Sequence, residues 1–428
     1  MNPLAKEKLV PRDGIGSWLK KLGPGLITGA ADDDPSGIAT YSQAGAQFGL
    51  NMLWTVLFTY PLMVGIQLVS ARIGRVSGHG LATNIRRHYS AWLLYGVVGL
   101  LLIANTINIA ADISAMGEAF KLIAGGPAQV YAVGFGVISM LLQAFIPYRR
   151  YVRVLKWLTL ALLAYVATAF VVHIPWQQVM ATALMPRISW KTEYVTTIVA
   201  VFGTTISPYL FFWQASQEVE DQLADPLSQP LIKAPEQAEA NLRRIKIDTY
   251  VGMGFSNLVA FFIIMTTAVT LNMHGITDIQ SSAQAATALR PIAGEFAFML
   301  FSAGIIGTGL LAIPVLAGSS AYAMAGAFKW KNSLERAPMQ AKQFYGIIAI
   351  SMLIGIGLGF TSINPIKALY WSAVINGVIS VPIMVVMMLM ATRPEIMGRF
   401  VITTRLKVLG WLATLMMAAV VGAMLATI

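Results

Sequence analysis

The chain has 428 residues, of which 57% are hydrophobic and 11% charged, and its mean hydropathy is +0.67. A soluble domain carries about 25% charged residues, so a water-soluble enzyme or binding module is excluded and a polytopic membrane protein in a lipid bilayer is expected. The net charge of +11 does not point to nucleic acid, because the basic residues sit at the ends of apolar segments instead of forming a patch; the absence of cysteine removes disulfides, thiolate ligands and thiol nucleophiles.

A helix needs about 20 apolar residues to cross the hydrocarbon. Eleven segments qualify, centred near residues 36, 62, 106, 138, 161, 207, 260, 309, 350, 377 and 414. The predicted fold is therefore all-α; a β-barrel would show ten-residue alternation instead. With the N-terminus inside, Lys6, Lys8, Arg12, Lys20, Lys21, Arg72, Arg75, Arg86, Arg87, Arg149, Arg150, Arg153, Lys156 and the clusters around 233–246, 329–342 and 393–407 fall cytoplasmic. Only Lys121, Arg187, Lys191, Arg290 and Lys367 fall outside. This asymmetry follows the positive-inside rule and, with an odd helix count, places the C-terminus outside a cell's inner (plasma) membrane.

The first segment reads "ITGAADDDPSGIATYSQAGAQFG". It lacks the short uninterrupted apolar run of a cleavable signal peptide, so it is expected to stay in the mature protein. Pro35 disfavours the α conformation for Asp34, and Gly37 follows where backbone freedom is highest. The sixth segment, "FGTTISPYLFFW", is broken in the same manner at Ser207 and Pro208, with Gly203 one turn earlier. Unwound backbone at membrane depth survives only inside protein or along a watery cavity. Paired interrupted helices at corresponding positions indicate an inverted-repeat transporter whose substrate site lies at the breaks. The predicted organisation of this single domain, 1–428, is a five-helix repeat over 22–173, a second inverted repeat over 192–390 and an extra helix over 402–426. The connector "EVEDQLADPLSQPLIKAPEQAEANLRRIK" reads as a solvated loop or short surface helix.

An ionised aspartate at mid-membrane is expensive and marks a functional site. Successive helical residues point about 100° apart, so Asp32, Asp33 and Asp34 cannot all face one spot. Asp34, at the break, is expected to face the cavity; Asp32 and Asp33 line a vestibule or pair with a basic residue. Thr204 and Ser207, three residues apart, are expected on one face opposite Asp34, although a hydroxyl in a membrane helix commonly bonds back to the preceding turn. With backbone carbonyls freed near Ala31 and Thr204, the predicted ligand set is all oxygen. Such ligands suit Mg²⁺ or Ca²⁺ over later transition metals, and a roomy site suits Mg²⁺, which keeps several waters.

These residues carry a resemblance. "GPGLITGAADDDPSGIATYSQAGAQFG" resembles the first helix of the Nramp family of divalent-metal transporters, whose motif there is Asp-Pro-Gly-Asn. Asp34 and Pro35 keep the pattern, while Ser36 replaces its glycine and Gly37 its metal-binding asparagine. In the sixth helix Thr204, Ser207 and Tyr209 stand for the alanine, methionine and histidine of Ala-x-x-Met-Pro-His. Loss of the soft ligand resembles the branch of Nramp-related magnesium transporters. The resemblance implies a LeuT-type fold with Mg²⁺ as cargo, no cofactor, and a site that includes Ala31, Asp34, Gly37, Thr204 and Ser207. Asn376 is the nearest polar residue to the helix-10 position where the family has a glutamine.

Asp112 in "NIAADISAMGEAF" matches the helix-3 acid that the family links to proton movement, but Ala115 stands where a glutamate is usual. His79, His88, His173 and His274 lie at segment ends or loops, so no imidazole relay is expected. Three other readings compete. One is a proton-coupled Mn²⁺/Fe²⁺ importer of the ordinary family type. Another, a membrane-embedded metal-dependent hydrolase, lacks H-E-x-x-H, P-loop and G-x-S-x-G signatures. A sodium-coupled organic-solute carrier is disfavoured by a carboxylate that would repel an anionic substrate.

Overall fold

The computed structural model describes residues 24–146, 150, 158–331, 333–334, 338–361 and 364–427. Lys6, Lys8, Arg12, Lys20, Lys21, Arg149, Arg153 and Lys156, used above to orient the chain, lie outside the described residues.

Each of the eleven apolar segments has helix at its position. The first is α1 (Pro24–Asp32) and α2 (Pro35–Phe48), followed by α3 (Leu53–Ser77), the short surface helix α4 (Leu81–His88), α5 (Ala91–Ala124) and α6 (Ala128–Phe145). The fifth segment is α7 (Leu163–Val171), which bends by 119° into α8 (Trp176–Leu184). The sixth is α9 (Thr192–Thr205) and α10 (Pro208–Ala224), and the rest are α11 (Ala238–Thr270), α12 (Ala297–Phe328), α13 (Lys342–Leu358), α14 (Pro365–Ala391) and α15 (Thr404–Thr427). By length and hydropathy, 8 helical stretches among the described residues can cross a membrane, one of them α2 and α3 joined by a 3₁₀ turn; the bent pair makes a ninth, and α13 is shorter.

Both breaks have the same local cause. Asp34 (φ −69°, ψ 171°) and Ser207 (φ −83°, ψ 133°) are extended residues that precede the prolines opening α2 and α10. A proline at the first helical position needs no amide donor and pushes its predecessor out of the helical region, so each Asp-Pro or Ser-Pro pair ends one helix and starts the next.

The broken helices lie at the centre. α1 and α2 pack on α11, α10 on α3 and α12, and α9 on α14, while α5 reaches across to α12, α13 and α14. Small residues allow the closest crossings, as is usual where lipid leaves no hydrophobic drive between helices. A Cβ on Gly29 would lie 2.2 Å from the Gly252 carbonyl oxygen of α11. Gly203, one turn before the second break, is inside α9, where a Cβ would lie 2.1 Å from the Ala373 carbonyl oxygen and 2.5 Å from the Gly377 nitrogen of α14. Its absent side chain serves packing, and the proline makes the break.

The long connector differs in part from its expectation. α10 continues through Ala224 and α11 begins at Ala238, so only its middle is irregular. Glu218 is fully buried and pairs with Arg244, whose guanidinium also lies 4.0 Å from Asp248. Asp248 Oδ2 accepts the Gly25 amide at 2.7 Å, which satisfies a free donor at the start of α1 and ties that half-helix to α11. The middle of the segment is largely exposed, as expected of a solvated loop, while Glu218 and Arg244 at its ends are taken up by one another.

Gly203→Ala should destabilise the fold by about 1–3 kcal/mol through overpacking against backbone that cannot rotate away. The melting temperature in detergent reads this, with Gly96→Ala as control, since a Cβ there meets nothing within 4 Å. Equal melting of the Gly203→Ala and wild-type proteins would show that α9 and α14 separate at no cost.

Candidate metal site

The two breaks face each other. Asp34 caps α2 with Oδ1, which accepts the Gly37 amide at 2.7 Å. Its Oδ2 accepts Asn108 Nδ2 of α5 at 3.0 Å, with the Tyr209 hydroxyl of α10 at 3.5 Å. Tyr209 donates to the Ala31 carbonyl at 3.0 Å, so one phenol ties the last turn of α1 to the start of α10. The positive end of α2 and the negative end of α1 meet at this carboxylate, which suits an ion that must be held between a carboxylate and free carbonyls.

Of the residues singled out from the sequence, Ala31, Asp34, Gly37 and Thr204 come together. A Cβ on Gly37 would sit 3.2 Å from Thr204 Oγ1 and 3.3 Å from the Asp32 carbonyl oxygen, so the Thr204 hydroxyl stands directly against the Gly37 backbone. Thr204 and Ser207 do not share a helical face, because α9 ends between them at Thr205. Ser207 Oγ bonds back to the carbonyls of Gly203 at 2.9 Å and Thr204 at 2.7 Å, which spends its proton and leaves its lone pairs as acceptors. Asn376 is one helical turn along α14 from Ser372, whose hydroxyl meets Ser36 Oγ at 3.2 Å beside the Asp34–Pro35 junction. Asn376 Oδ1 is buried without a hydrogen-bond partner.

Asp32 and Asp33 neither line an open vestibule nor meet a basic residue. Both are buried and share the Ser256 hydroxyl of α11, at 2.6 Å from Asp32 Oδ2 and 3.0 Å from Asp33 Oδ1. Asp112 is fully buried on α5, and neither of its oxygens has a hydrogen-bond partner. Ala115, one turn further, lines a void of about 10 Å³ with Ile38, Ser42 and Leu369.

Two parts of this shell escaped the sequence reading. Asn108 was not singled out, although it lies four residues before Asp112 and therefore on the same face of α5, where a polar residue in an apolar helix is a signal in itself. Tyr209 was noted only as a replacement for histidine, and nothing in the sequence announces that its hydroxyl bridges Ala31 and Asp34. Among the described residues no three His, Cys, Asp or Glu gather in a manner that could hold a metal ion, so an ion here also needs carbonyl, amide or hydroxyl oxygen.

The site is closed to solvent: Asp34, Thr204, Ser207 and Asn376 are all buried. A cleft of about 440 Å³ lies at the far end of α2, lined by Gln43, Gln47, Glu193, Asp278 and Lys367. Gln43 is nine residues from Asp34, about 13 Å of helix. On the other side α1 is packed against α11 and held by Asp248.

Comparison with known proteins places this geometry. The chain is 26% identical over 411 residues to the divalent metal cation transporter MntH of Klebsiella pneumoniae strain 342, covering 94% of this chain and 93% of that protein. Its fold matches the manganese transporter of Eremococcus coleocola with a TM-score of 0.73 at 17% identity, covering 97% of this chain and 89% of the other. MhsT, solved with L-phenylalanine, matches with a TM-score of 0.61 at 13% identity over 94% and 98% of the two chains. The nucleobase-cation-symport transporter Mhp1 matches at 0.58 and 12%, over 95% and 92%. The fold is thus the LeuT type that the family resemblance implied, in a multi-pass membrane protein. The family model described as natural resistance-associated macrophage protein-like spans residues 25–427, and the chain belongs to that family, Nramp.

Proposed function

We propose that this chain is a divalent-metal transporter whose cargo is Mg²⁺, as in the magnesium-transporting branch it resembles, carried with part of its hydration shell by alternating access and without proton coupling. The observation that carries the reading is the chemistry around Asp34. The polar groups gathered there offer oxygen: the Asp34 carboxylate, the Asn108 amide and the Thr204 and Tyr209 hydroxyls, with the Ala31 carbonyl beside them and Ser207 at the facing break. Ser207 stands where the family's sulfur would be. Hard oxygen favours Mg²⁺, while thioether sulfur favours the later metals. The cation is cargo, and the protein is a transporter rather than an enzyme.

The proposed repeats are 22–173 and 192–390, with 402–426 as the added helix. The charge asymmetry supports a plasma-membrane protein with its N-terminus in the cytoplasm and its C-terminus outside. In that orientation the cleft at Gln43 faces outward, and release of α1 from α11 opens the inner side.

A second reading, a proton-coupled Mn²⁺/Fe²⁺ importer, draws support from Asp112, which keeps the family's helix-3 acid, and from the manganese transporter among its structural relatives. Against it stands the lack of an imidazole near the site. His79, His173 and His274 lie outside the long helices, and His88 ends the short helix α4. Tyr209 occupies the position of the family's histidine.

Asp34→Ala should abolish Mg²⁺ uptake in proteoliposomes while leaving a monodisperse protein, because it removes the single carboxylate at the break. Near-normal flux in an intact mutant would rule out this site. Mg²⁺ uptake should also proceed without acidifying the trans compartment, and a proton flux that scales with Mg²⁺ uptake would favour the second reading. Finally, Ser207→Met combined with Gly37→Asn should shift preference toward Mn²⁺. The change adds sulfur and fills space that retained waters need, although the new Cβ at residue 37 requires Thr204 to yield by a few tenths of an ångström. Competition between the two ions is the measurement. An unchanged preference in an intact double mutant would locate selectivity elsewhere.

A further inference from the structure

Asn108 has two polar ends, and the contacts seen use only one. Nδ2 donates to Asp34 Oδ2, and because a carboxylate only accepts, this contact fixes which end of the amide is nitrogen. Oδ1 is therefore directed elsewhere; it is completely buried and has no hydrogen-bond partner. Both oxygens of Asp112, one turn along the same face of α5, are likewise without a hydrogen-bond partner.

An amide oxygen can only accept. Native proteins seldom leave a buried acceptor unmet, so the free oxygen of the amide that holds Asp34 marks a place for something that presents donors. A hydrated divalent cation is such an object, since each bound water turns its oxygen to the metal and its hydrogens outward. Mg²⁺ sheds that shell reluctantly.

We infer that Asn108 is a selectivity-determining residue whose Oδ1 accepts a hydrogen bond from a water retained on the transported ion while its Nδ2 holds Asp34 in place. The assignment rests on the Mg²⁺ reading and deepens it: recognition extends from the two broken helices to α5, and what α5 recognises is the ion's water. An ion that enters with fewer waters has less use for Oδ1. Loss of Asn108 should therefore weaken Mg²⁺ more than Mn²⁺, whereas loss of a residue that merely positions Asp34 should weaken both equally.

The test is concentration-dependent uptake of Mg²⁺ and of Mn²⁺ in proteoliposomes for the wild type, Asn108→Leu and Asn108→Ser. In Asn108→Leu the KM for Mg²⁺ should rise about tenfold, as expected from losing a hydrogen bond to a strongly polarised water, and that for Mn²⁺ by less than about threefold. Asn108→Ser is the small polar control: its hydroxyl is one bond too short to reach both Asp34 and the ion's water and bonds back to the preceding turn, so it should show the same selective rise for Mg²⁺. If the leucine variant does not elute as a monodisperse protein, Asn108→Ala removes the same oxygen without bulk and carries the same expectation. Equal rises for both ions, or no change in either, would overturn the assignment while leaving Mg²⁺ transport intact. A wild-type protein that takes up Mn²⁺ and no Mg²⁺ would instead overturn the underlying reading.

Discussion

A carboxylate at mid-membrane costs about 2.5–3.5 kcal/mol on insertion scales, and the arrangement of helices around Asp34 answers that constraint. One oxygen takes the amide at the start of α2, and the other takes the Asn108 amide, with the Tyr209 hydroxyl beside it. For these donors to reach one carboxylate, α1 must stop, α2 must begin, and α5 and α10 must cross at that level. The Asp-Pro and Ser-Pro pairs supply the interruptions, and Gly203 and Gly29 let the neighbouring helices approach closely enough to enclose the site.

The same constraint bears on motion. A buried charge is tolerable only while its partners stay in reach, so opening the site to either side must carry the partners along or replace them with water and ion. The two halves of the first helix are held differently. α2 is held at its start by Ser36, whose hydroxyl donates to the Leu369 carbonyl of α14, whereas α1 is held at its far end by Asp248 and by close packing on α11. The Asp248–Arg244–Glu218 chain joins α1 to α10 through α11, so both halves on that side are linked by charge. A rigid-body movement of α1 with α10 would have to break or carry that chain, in keeping with gating by rocking of one part of the bundle against the rest.

The acidic run at 32–34 shows how three like residues take separate roles by position alone. Asp34 is at the break and meets donors from three helices. Asp32 closes α1, and Asp33 lies between the two halves; both turn to the single hydroxyl of Ser256. The end of α1 and the extended Asp34 separate them, and the destination of Asp32 and Asp33 is a serine on α11 rather than a vestibule or a basic partner.

Much of this was legible without coordinates. Apolar length set the number of helices, because twenty residues are what the hydrocarbon requires. Proline set the breaks, because its ring excludes the helical conformation for the residue before it. The acidic run ending at the first break set the place of the site. Local chemistry could not decide contacts between segments far apart in the chain. Asn108 reaches Asp34 across 74 residues, Tyr209 reaches Ala31 across 178, and Gly25 meets Asp248 across 223. Thr204 and Ser207 looked like one face only while their helix was taken as continuous, and nothing local announced that Gly203 is where α14 crosses. Most of the connector at 218–246 is exposed as expected, but its sequence gave no hint that Glu218 is buried against Arg244. The sequence determined which residues must leave a helix or avoid lipid, since those are properties of one residue and its neighbours; only the packed bundle decided which groups satisfy them, since a hydrogen bond depends on where two distant helices cross.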